Sequence, residues 1–386
     1  MIKQLSSLCN LLFTQVALPT QRTVLEREFS GRQLKKAIPL KDGFLILGHQ
    51  EWTETLLPET DGLPEIRHLY RPFVARINKK LNPVWEKFWP EHWSPTLSDM
   101  ELTAEKVYLI GTNYLMRGER GLGCVTCLTL NGEQLWEQNY HYPRLKSVEG
   151  KWIKAMPDGS LLTMMRIFPE SSSMGTLLLL NLDAAGGKRW SSHIGRQYRM
   201  AQIEGVAVDC TGNVLLTGHI YRGDTEQQYQ AEGWMYLFDP EEPDNVLMDK
   251  VVSDFVDQTL GQAIPLKNGH WWVLSHASEE FGVPRQAHLI EYNQHGEMVR
   301  FREWQHQDGM RLTSMRWNDA RDSLVMVGMA QLKWLKRCRS RFIELTDDWE
   351  FIRERFGSSG SFYIDVHAFN SGDVLLVGRN SLQILG

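Results

Sequence analysis

Three histidines, His49, His219 and His276, and two arginines, Arg166 and Arg379, each stand at the end of a short apolar run, with Thr112 and Met329 at the matching place in two further runs. Imidazoles can move protons near neutral pH, and beside arginines they can hold an anion. No Ser, Cys or Asp lies at a local spacing that would complete a triad with any of them. A second group is the basic stretch QLKWLKRCRSR (331 to 341), where Lys333, Lys336, Arg337, Arg339 and Arg341 surround Trp334. Cations around an aromatic ring suit phosphate, a carboxylate or an acidic peptide. Cys124 and Cys127 have the CxxC spacing of a redox pair or half a zinc site. They fall, however, in GCVTCLTL, which reads as a strand, and residues three apart on a strand point to opposite faces. Asp239, Glu241, Glu242 and Asp244 cluster in FDPEEPDN, but their spacing is not that of a calcium loop and Pro240 and Pro243 suit a rigid turn. No phosphate-loop, dinucleotide, HExxH or GxSxG motif occurs, so neither a metal nor a cofactor is expected.

Composition narrows the partners. The 386 residues are 42% hydrophobic and 23% charged, an ordinary globular balance that excludes collagen-like and wholly disordered chains. A net charge of -5 supplies no global basic field, so nucleic acid is not an expected partner. Five scattered cysteines do not describe a disulfide framework and point to a reducing compartment, the cytoplasm. No run of 18 apolar residues is present to span a membrane as a helix. Residues 1 to 21 form a separate segment with one Lys and a short apolar stretch broken by Gln4, Asn10 and Gln15, a poor signal peptide. Its removal would place the protein in the periplasm or outside the cell.

The elements that must position these residues repeat. GFLILGHQ, KVYLIGTN, SLLTMMRI, NVLLTGHI, HWWVLSHA, SLVMVGMA and DVLLVGRN each read as one buried strand. Their first strand residues are Phe44, Val107, Leu161, Val214, Trp271, Leu324 and Val374, spaced by 63, 54, 53, 57, 53 and 50 residues. That is close to the roughly 50 residues of kelch-type propeller blades, and helical periodicity is nearly absent. Each unit divides into four strands. A first strand ends in a turn such as Asp-Gly or Asn-Gly, the apolar run follows, a third strand comes after a variable loop, and an aromatic-rich fourth strand closes the unit (VWEKFW, LWEQNY, FIRERF). The seventh unit lacks a fourth strand, and VLEREF (24 to 29) superposes on VWEKFW without a unit of its own. The expectation is an all-β, seven-bladed propeller of four-stranded antiparallel blades over 22 to 386, its ring closed by the N-terminal strand completing the C-terminal blade.

On these segments the chain resembles the broad group of seven-bladed propellers that includes quinoprotein-like and WD40-like folds. In NLDAAGGKRW, Asp183, Gly187, Lys188 and Trp190 are similar to the tryptophan-docking motif of quinoprotein-type blades, although the Trp comes one residue early. No blade ends in the Trp-Asp dipeptide. The resemblance implies a fold and transfers no catalytic residue. Trp85, Trp136 and Trp190 recur on fourth strands, as packing between blades requires.

In such a ring the connections after the second strands share one rim with the connections between blades. Two of them stand out: the insertion EWTETLLPETDGLPEIRHLYRP (51 to 72) and the basic stretch of the sixth blade. Trp52 and Trp334 fall in expected loops, where an exposed Trp makes a contact residue. The candidate binding residues are therefore Trp52, Arg166, Lys333, Trp334, Lys336, Arg337, Arg339 and Arg379. Lys36, Glu204, Gln262 and Asp365 on the first strands are expected to face the channel, a polar mixture suited to a small molecule. The function expected is a non-catalytic binding or scaffolding subunit with a protein partner. The alternative is a propeller lyase or hydrolase acting on a small molecule or peptide with His49, His219 and His276; a periplasmic protein of quinoprotein type is a third reading.

Overall fold

A computed structural model describes residues 23–56, 65–89, 96–115, 120–142, 145–170, 175–198, 200–221, 230–278, 285–305, 309–332, 337–359 and 362–386. All regular structure in them is strand. The first, β1 (Thr23–Glu28), stands ahead of blade one, which is β2 (Arg32–Leu40), β3 (Gly43–Leu56), β4 (Glu65–Asn78) and β5 (Pro83–Phe88). Blade two is β6 (Thr96–Leu102), β7 (Lys106–Leu115), β8 (Arg120–Thr129) and β9 (Gln134–Tyr140). Blade three is β10 (Leu145–Ala155), β11 (Leu161–Pro169), β12 (Thr176–Leu182) and β13 (Lys188–Ile194). Blade four is β14 (Met200–Val208), β15 (Val214–Tyr221), β16 (Glu232–Phe238) and β17 (Val246–Val252). Blade five is β18 (Val256–Pro265), β19 (Trp271–Ser278), β20 (Gln286–Tyr292) and β21 (Met298–Trp304). Blade six is β22 (Met310–Asn318), β23 (Ser323–Leu332), β24 (Arg337–Leu345) and β25 (Phe351–Ser359). Blade seven takes β26 (Tyr363–Ala368), β27 (Val374–Gly378) and β28 (Ser381–Leu385), with β1 as its outer strand.

The result is seven four-stranded antiparallel sheets, a seven-bladed β-propeller. At the seam Leu25 pairs with Ile384 and Glu28 with Ser381, and Phe29 N–H continues the contact to Asn380 O at 2.7 Å. The open edge of β28 is thereby covered. Among the described residues no helix is long and apolar enough to cross a membrane.

The core sits between blades. One apolar cluster fills each gap, and residues of two neighbouring sheets face each other in it: Leu162, Met164 and Leu179 of blade three meet Val214, Leu216 and Trp234 of blade four. The other six gaps are filled likewise. Middle strands buried on both faces are apolar over most of their length, which is why they read as runs such as Leu177 to Leu180 within Thr176–Leu182. Each fully buried Leu, Val or Ile contributes about 1.5–3 kcal/mol. Fourth strands alternate instead. Trp85 there donates Nε1–H to Leu130 O of the next blade at 3.0 Å, and Trp136 does the same to Ala184 O at 3.2 Å.

Two expectations about the rim change. Residues 51–56 and 65–72 are strand and not loop: β3 and β4 run on as a ladder from His49 opposite Pro72 to Leu56 opposite Glu65, so Trp52 is a strand residue opposite Leu69. EWTET carries no apolar alternation, and its strand is held by backbone pairing. Likewise His49, Arg166, His219, His276 and Met329 do not lie past the second strands. They are still inside β3, β11, β15, β19 and β23, because those strands continue beyond their apolar stretch. Residues 1–22, 57–64 and 333–336 lie outside the described residues, and with them the N-terminal segment 1 to 21, Lys333, Trp334 and Lys336.

Candidate functional site

Every inner strand carries the same irregularity. The register of β2, β6, β10, β14, β22 and β26 slips by one residue at Lys35, Ser98, Lys151, Glu204, Thr313 and Ile364, and that of β18 slips around Gly261. A β-bulge kinks the strand and re-aims the extra side chain. Here it brings the carbonyl ahead of the bulge against the second strand. A Cβ on Gly111 would stand 1.8 Å from Thr96 O, one on Gly218 1.8 Å from Gln202 O, and one on Gly328 2.0 Å from Arg311 O. The glycines that end the apolar runs therefore exist because an inner-strand carbonyl occupies the place of their side chain.

The bulges surround a central cavity of about 740 Å³. Lys35, Lys151, Glu204, Thr313 and Ile364 line it from bulge positions, and Lys36, Gln262, Ser314 and Asp365 from the residue that follows. These two positions behave differently. In blades one, two, five and six the following residue bonds to the next blade. Lys36 Nζ lies 2.7 Å from Asp99 Oδ1 and 2.8 Å from Met100 O; Asp99 Oδ2 accepts from Ile153 N at 3.2 Å. Gln262 Oε1 accepts from Met315 N at 2.7 Å, and Ser314 Oγ donates to Asp365 Oδ1 at 2.7 Å. Burial works against the Lys36 charge, but Asp99, Glu101 and Asp365 outweigh it and hold the ammonium above its ordinary value. Burial works against the Asp365 carboxylate too, yet His367, 3.0 Å away, with Arg316 and Ser314 keeps it well below the usual range. Of the four residues expected to face the channel, Lys36, Gln262 and Asp365 thus form a belt between blades, and Glu204 alone stands at a bulge.

Cations gather on one side. Lys35, Lys36, Lys151, Lys154, Arg166 and Arg316 line the cavity against Glu101, Glu204 and Asp365, six positive groups against three negative in a chain of net charge -5. All but Arg316 belong to blades one and three. Lys35 Nζ donates to Leu97 O at 2.7 Å, and burial together with the Lys151 charge lowers its pKa. Burial raises the Glu204 carboxyl, with Arg311 opposing.

A second cavity of about 460 Å³ opens beside the first and shares Gln202, Glu204, Gln262 and Thr313 with it. Its wall brings together His219, Tyr221, His276, Arg285 and Arg311 from blades four to six. His276 Nε2 lies 2.8 Å from Leu312 O and 3.1 Å from Leu312 N, so this ring bridges two blades. Burial and Arg311 lower it to about 3; burial and Arg285 lower His219, whose Nδ1 is buried without a partner, to about 4. Both imidazoles are neutral at pH 7 and can bond a ligand, but neither reaches a carboxylate. Arg285 is held by Asp257, with Nε 2.7 Å and Nη2 2.6 Å from Oδ2.

No protein-family model and no curated protein matches the chain. Solved structures do. It is similar to extracellular domains 1–2 of Drosophila Semaphorin 1b, with TM-score 0.52 at 8% identity over 96% of this chain and 88% of that one. YCF48 bound to the D1 peptide gives TM-score 0.52 at 6% identity over 95% and 96%. Sqt1 from Chaetomium thermophilum gives 0.48 at 8% identity over 94% and 98%. The fold is a propeller's. At these identities the likeness extends to nothing finer.

The remaining candidates lie apart. His49 lines neither cavity; its Nε2 stands 3.7 Å from Glu51 Oε1, and Arg379 Nη2 stands 3.9 Å from the same carboxylate. Burial and Lys35 lower the His49 pKa. The three histidines therefore do not converge, and the ring of rim residues divides into a blade-one group and a group of blades four to six. Arg166 lines the central cavity with its guanidinium 4.9 Å over Phe168 and its Nε buried without a partner. Arg337 pairs with Leu332 where the β23–β24 ladder ends. Arg339 is exposed, 4.9 Å over the Phe356 ring, while Arg341 is turned inward to Glu354. Cys124 and Cys127 are buried in β8, and burial with Glu137 pushes the Cys124 thiol up to about 12, far from a reactive thiolate. Among the described residues no three His, Cys, Asp or Glu side chains form a group that could hold a metal ion.

The residues sequence reasoning missed are Lys35 and Lys151. For Lys35 a signal was available: the glycine ending the run, Gly48, faces Leu34 before the bulge, so the next residue is the one re-aimed at the axis. Blade three has Met165 at that place and gives no such signal for Lys151.

Proposed function

We propose that this chain is a non-catalytic binding propeller that presents the rim of the first-blade hairpin and the sixth-blade basic turn to a protein partner. The observation that carries the reading is the length of the β3–β4 ladder. The outer strand β5 leaves the sheet at Phe73 opposite Phe88, while β3 and β4 stay paired to Leu56 opposite Glu65. At about 3.3 Å per residue that adds roughly 25 Å of ribbon beyond the blade. A two-stranded ribbon in water is marginal by itself, and a partner laid against it supplies the neighbours it lacks. The segment is also rich in Leu and Ile, namely Leu56, Leu57, Leu63, Ile66 and Leu69. Tyr70 at its base is 55% exposed. Cations at Lys333, Lys336, Arg337 and Arg339 favour an acidic partner surface. The fold-level likeness to YCF48, solved with a bound peptide, supports a polypeptide ligand.

An acid–base role for His49, His219 and His276 is not part of the reading. Two of them are neutral and buried, and the third stands in a separate group.

Replacing residues 52 to 69 by Asn-Gly tests the proposal. The shortened protein should melt within about 2 °C of the parent and lose the partner that chemical crosslinking and mass spectrometry identify for the full chain. A partner retained at full occupancy would contradict the assignment of this surface.

A further inference from the structure

The belt and the bulges leave more positive than negative side chains lining the central cavity. We propose that the central cavity binds a compact anion carrying two or more negative charges, held between Lys35 of blade one and Lys151 of blade three with Arg166 beside them.

The acids on that side already hold cations. Asp99 is bonded to Lys36, Glu101 to Lys154 at 2.6 Å, and Glu149 to Lys151 at 2.8 Å. Asp365 is engaged with His367 and Ser314. Lys35 Nζ lines the cavity and donates to the Leu97 carbonyl among the described contacts; an ammonium has three donors, so two remain for a ligand. Buried polar groups left unpaired are costly. Lys35 and Lys151 also oppose each other, since the charge of one lowers the pKa of the other. The bulge brings both to the axis, where packing does not need them: Ser98, Gly261, Thr313 and Ile364 fill the same position in other blades. Two lysines at positions that tolerate serine or isoleucine are explained by a ligand. Arg166 adds a guanidinium to the lining of the cavity, stacked over Phe168. Opposite them, Glu204 keeps a second negative charge off the blade-four wall, which orients the ligand towards blades one and three. The volume of about 740 Å³ lies within the ordinary range for small-molecule sites.

Lysines act as point charges and accept phosphoryl or carboxylate groups alike. Inorganic phosphate and citrate are therefore the two probes, titrated into the full chain against sodium chloride at matched ionic strength, with Tm and calorimetric affinity as readouts. At least one anion should raise Tm by a few degrees at millimolar concentration. A response to phosphate alone assigns a phosphoryl ligand, and to citrate alone a polycarboxylate. Lys151→Met should weaken that anion at least tenfold, whereas Lys250→Met on the outer strand of blade four should leave it unchanged. Lys35→Met loses a bond to Leu97 O of the next blade, whereas Lys151→Met gives up only a half-exposed pair with Glu149, so Lys151→Met is the variant least dependent on folding. Absence of any shift beyond chloride for both anions, or an equal shift in Lys151→Met, overturns the proposal.

Discussion

Blades one to three and blades four to six share one backbone plan and hold different chemistry towards the axis. In both halves the inner strands bulge, glycines on the second strands of blades one, two, four and six receive an inner-strand carbonyl, and in blades one, two, five and six the residue after the bulge is tied to the next blade. Yet the first half offers Lys35, Lys151, Lys154 and Arg166, while the second offers Glu204, Thr313 and a mouth of neutral histidines. The plan is set by backbone sterics, which every blade must obey. What the plan displays is free to vary, and variation there is where a ligand can be recognised.

Substitutions that strike the shared plan should act alike in both halves. Gly111→Ala in blade two and Gly218→Ala in blade four each place a methyl 1.8 Å from a backbone carbonyl that cannot move without its blade. Each should destabilise by about 3–5 kcal/mol, read by denaturant unfolding. A loss below about 1 kcal/mol in either would mean that the bulge carbonyl is not fixed there.

Acid should weigh more on the second half, although burial lowers His49 and His193 of the first half as well. His219, His276 and His288 belong to blades four and five, and burial lowers them to about 4, 3 and 4. The unfolded chain takes up these protons near pH 6.5, whereas the folded chain refuses them until pH 4 or below. Their contribution to stability is therefore complete above about pH 6.5 and declines as pH falls towards 4. Each histidine contributes about 1.4 kcal/mol per pH unit at pH 5, so the three give a slope near 4 kcal/mol per unit. His219→Gln should remove about a third of that slope, and an unchanged slope would show that its imidazole is not held neutral.

Much of the architecture was legible because strong local signals mark it. The second strands are buried on both faces, so their apolar runs count the blades. Trp85 and Trp136 sit where they dock onto the following blade, and VLEREF matches its fellow outer strands because it performs the same task at the seam. The site was less legible for a physical reason. A bulge shifts the two-residue alternation by one, so counting along β2 picks out Lys36 and passes over Lys35. Gln262 and Asp365 were chosen, like Lys36, from the belt. Trp52 was read as a loop residue because a ribbon that projects beyond its blade shows no hydrophobic alternation. His219 and His276 were placed on a solvated rim, but their strands carry them into the walls of a cavity, where His276 joins blades five and six.

The division between belt and bulge is tested most directly by the melting curves of Lys36→Met and Lys151→Met, measured without added anions. Lys36→Met strips Asp99 of its cation and of one tie between blades, which should lower Tm by several degrees. Lys151→Met gives up a half-exposed pair with Glu149 but relieves the repulsion on Lys35, and should leave Tm nearly unchanged. Equal and substantial losses in the two variants would contradict the account, because both positions would then be structural.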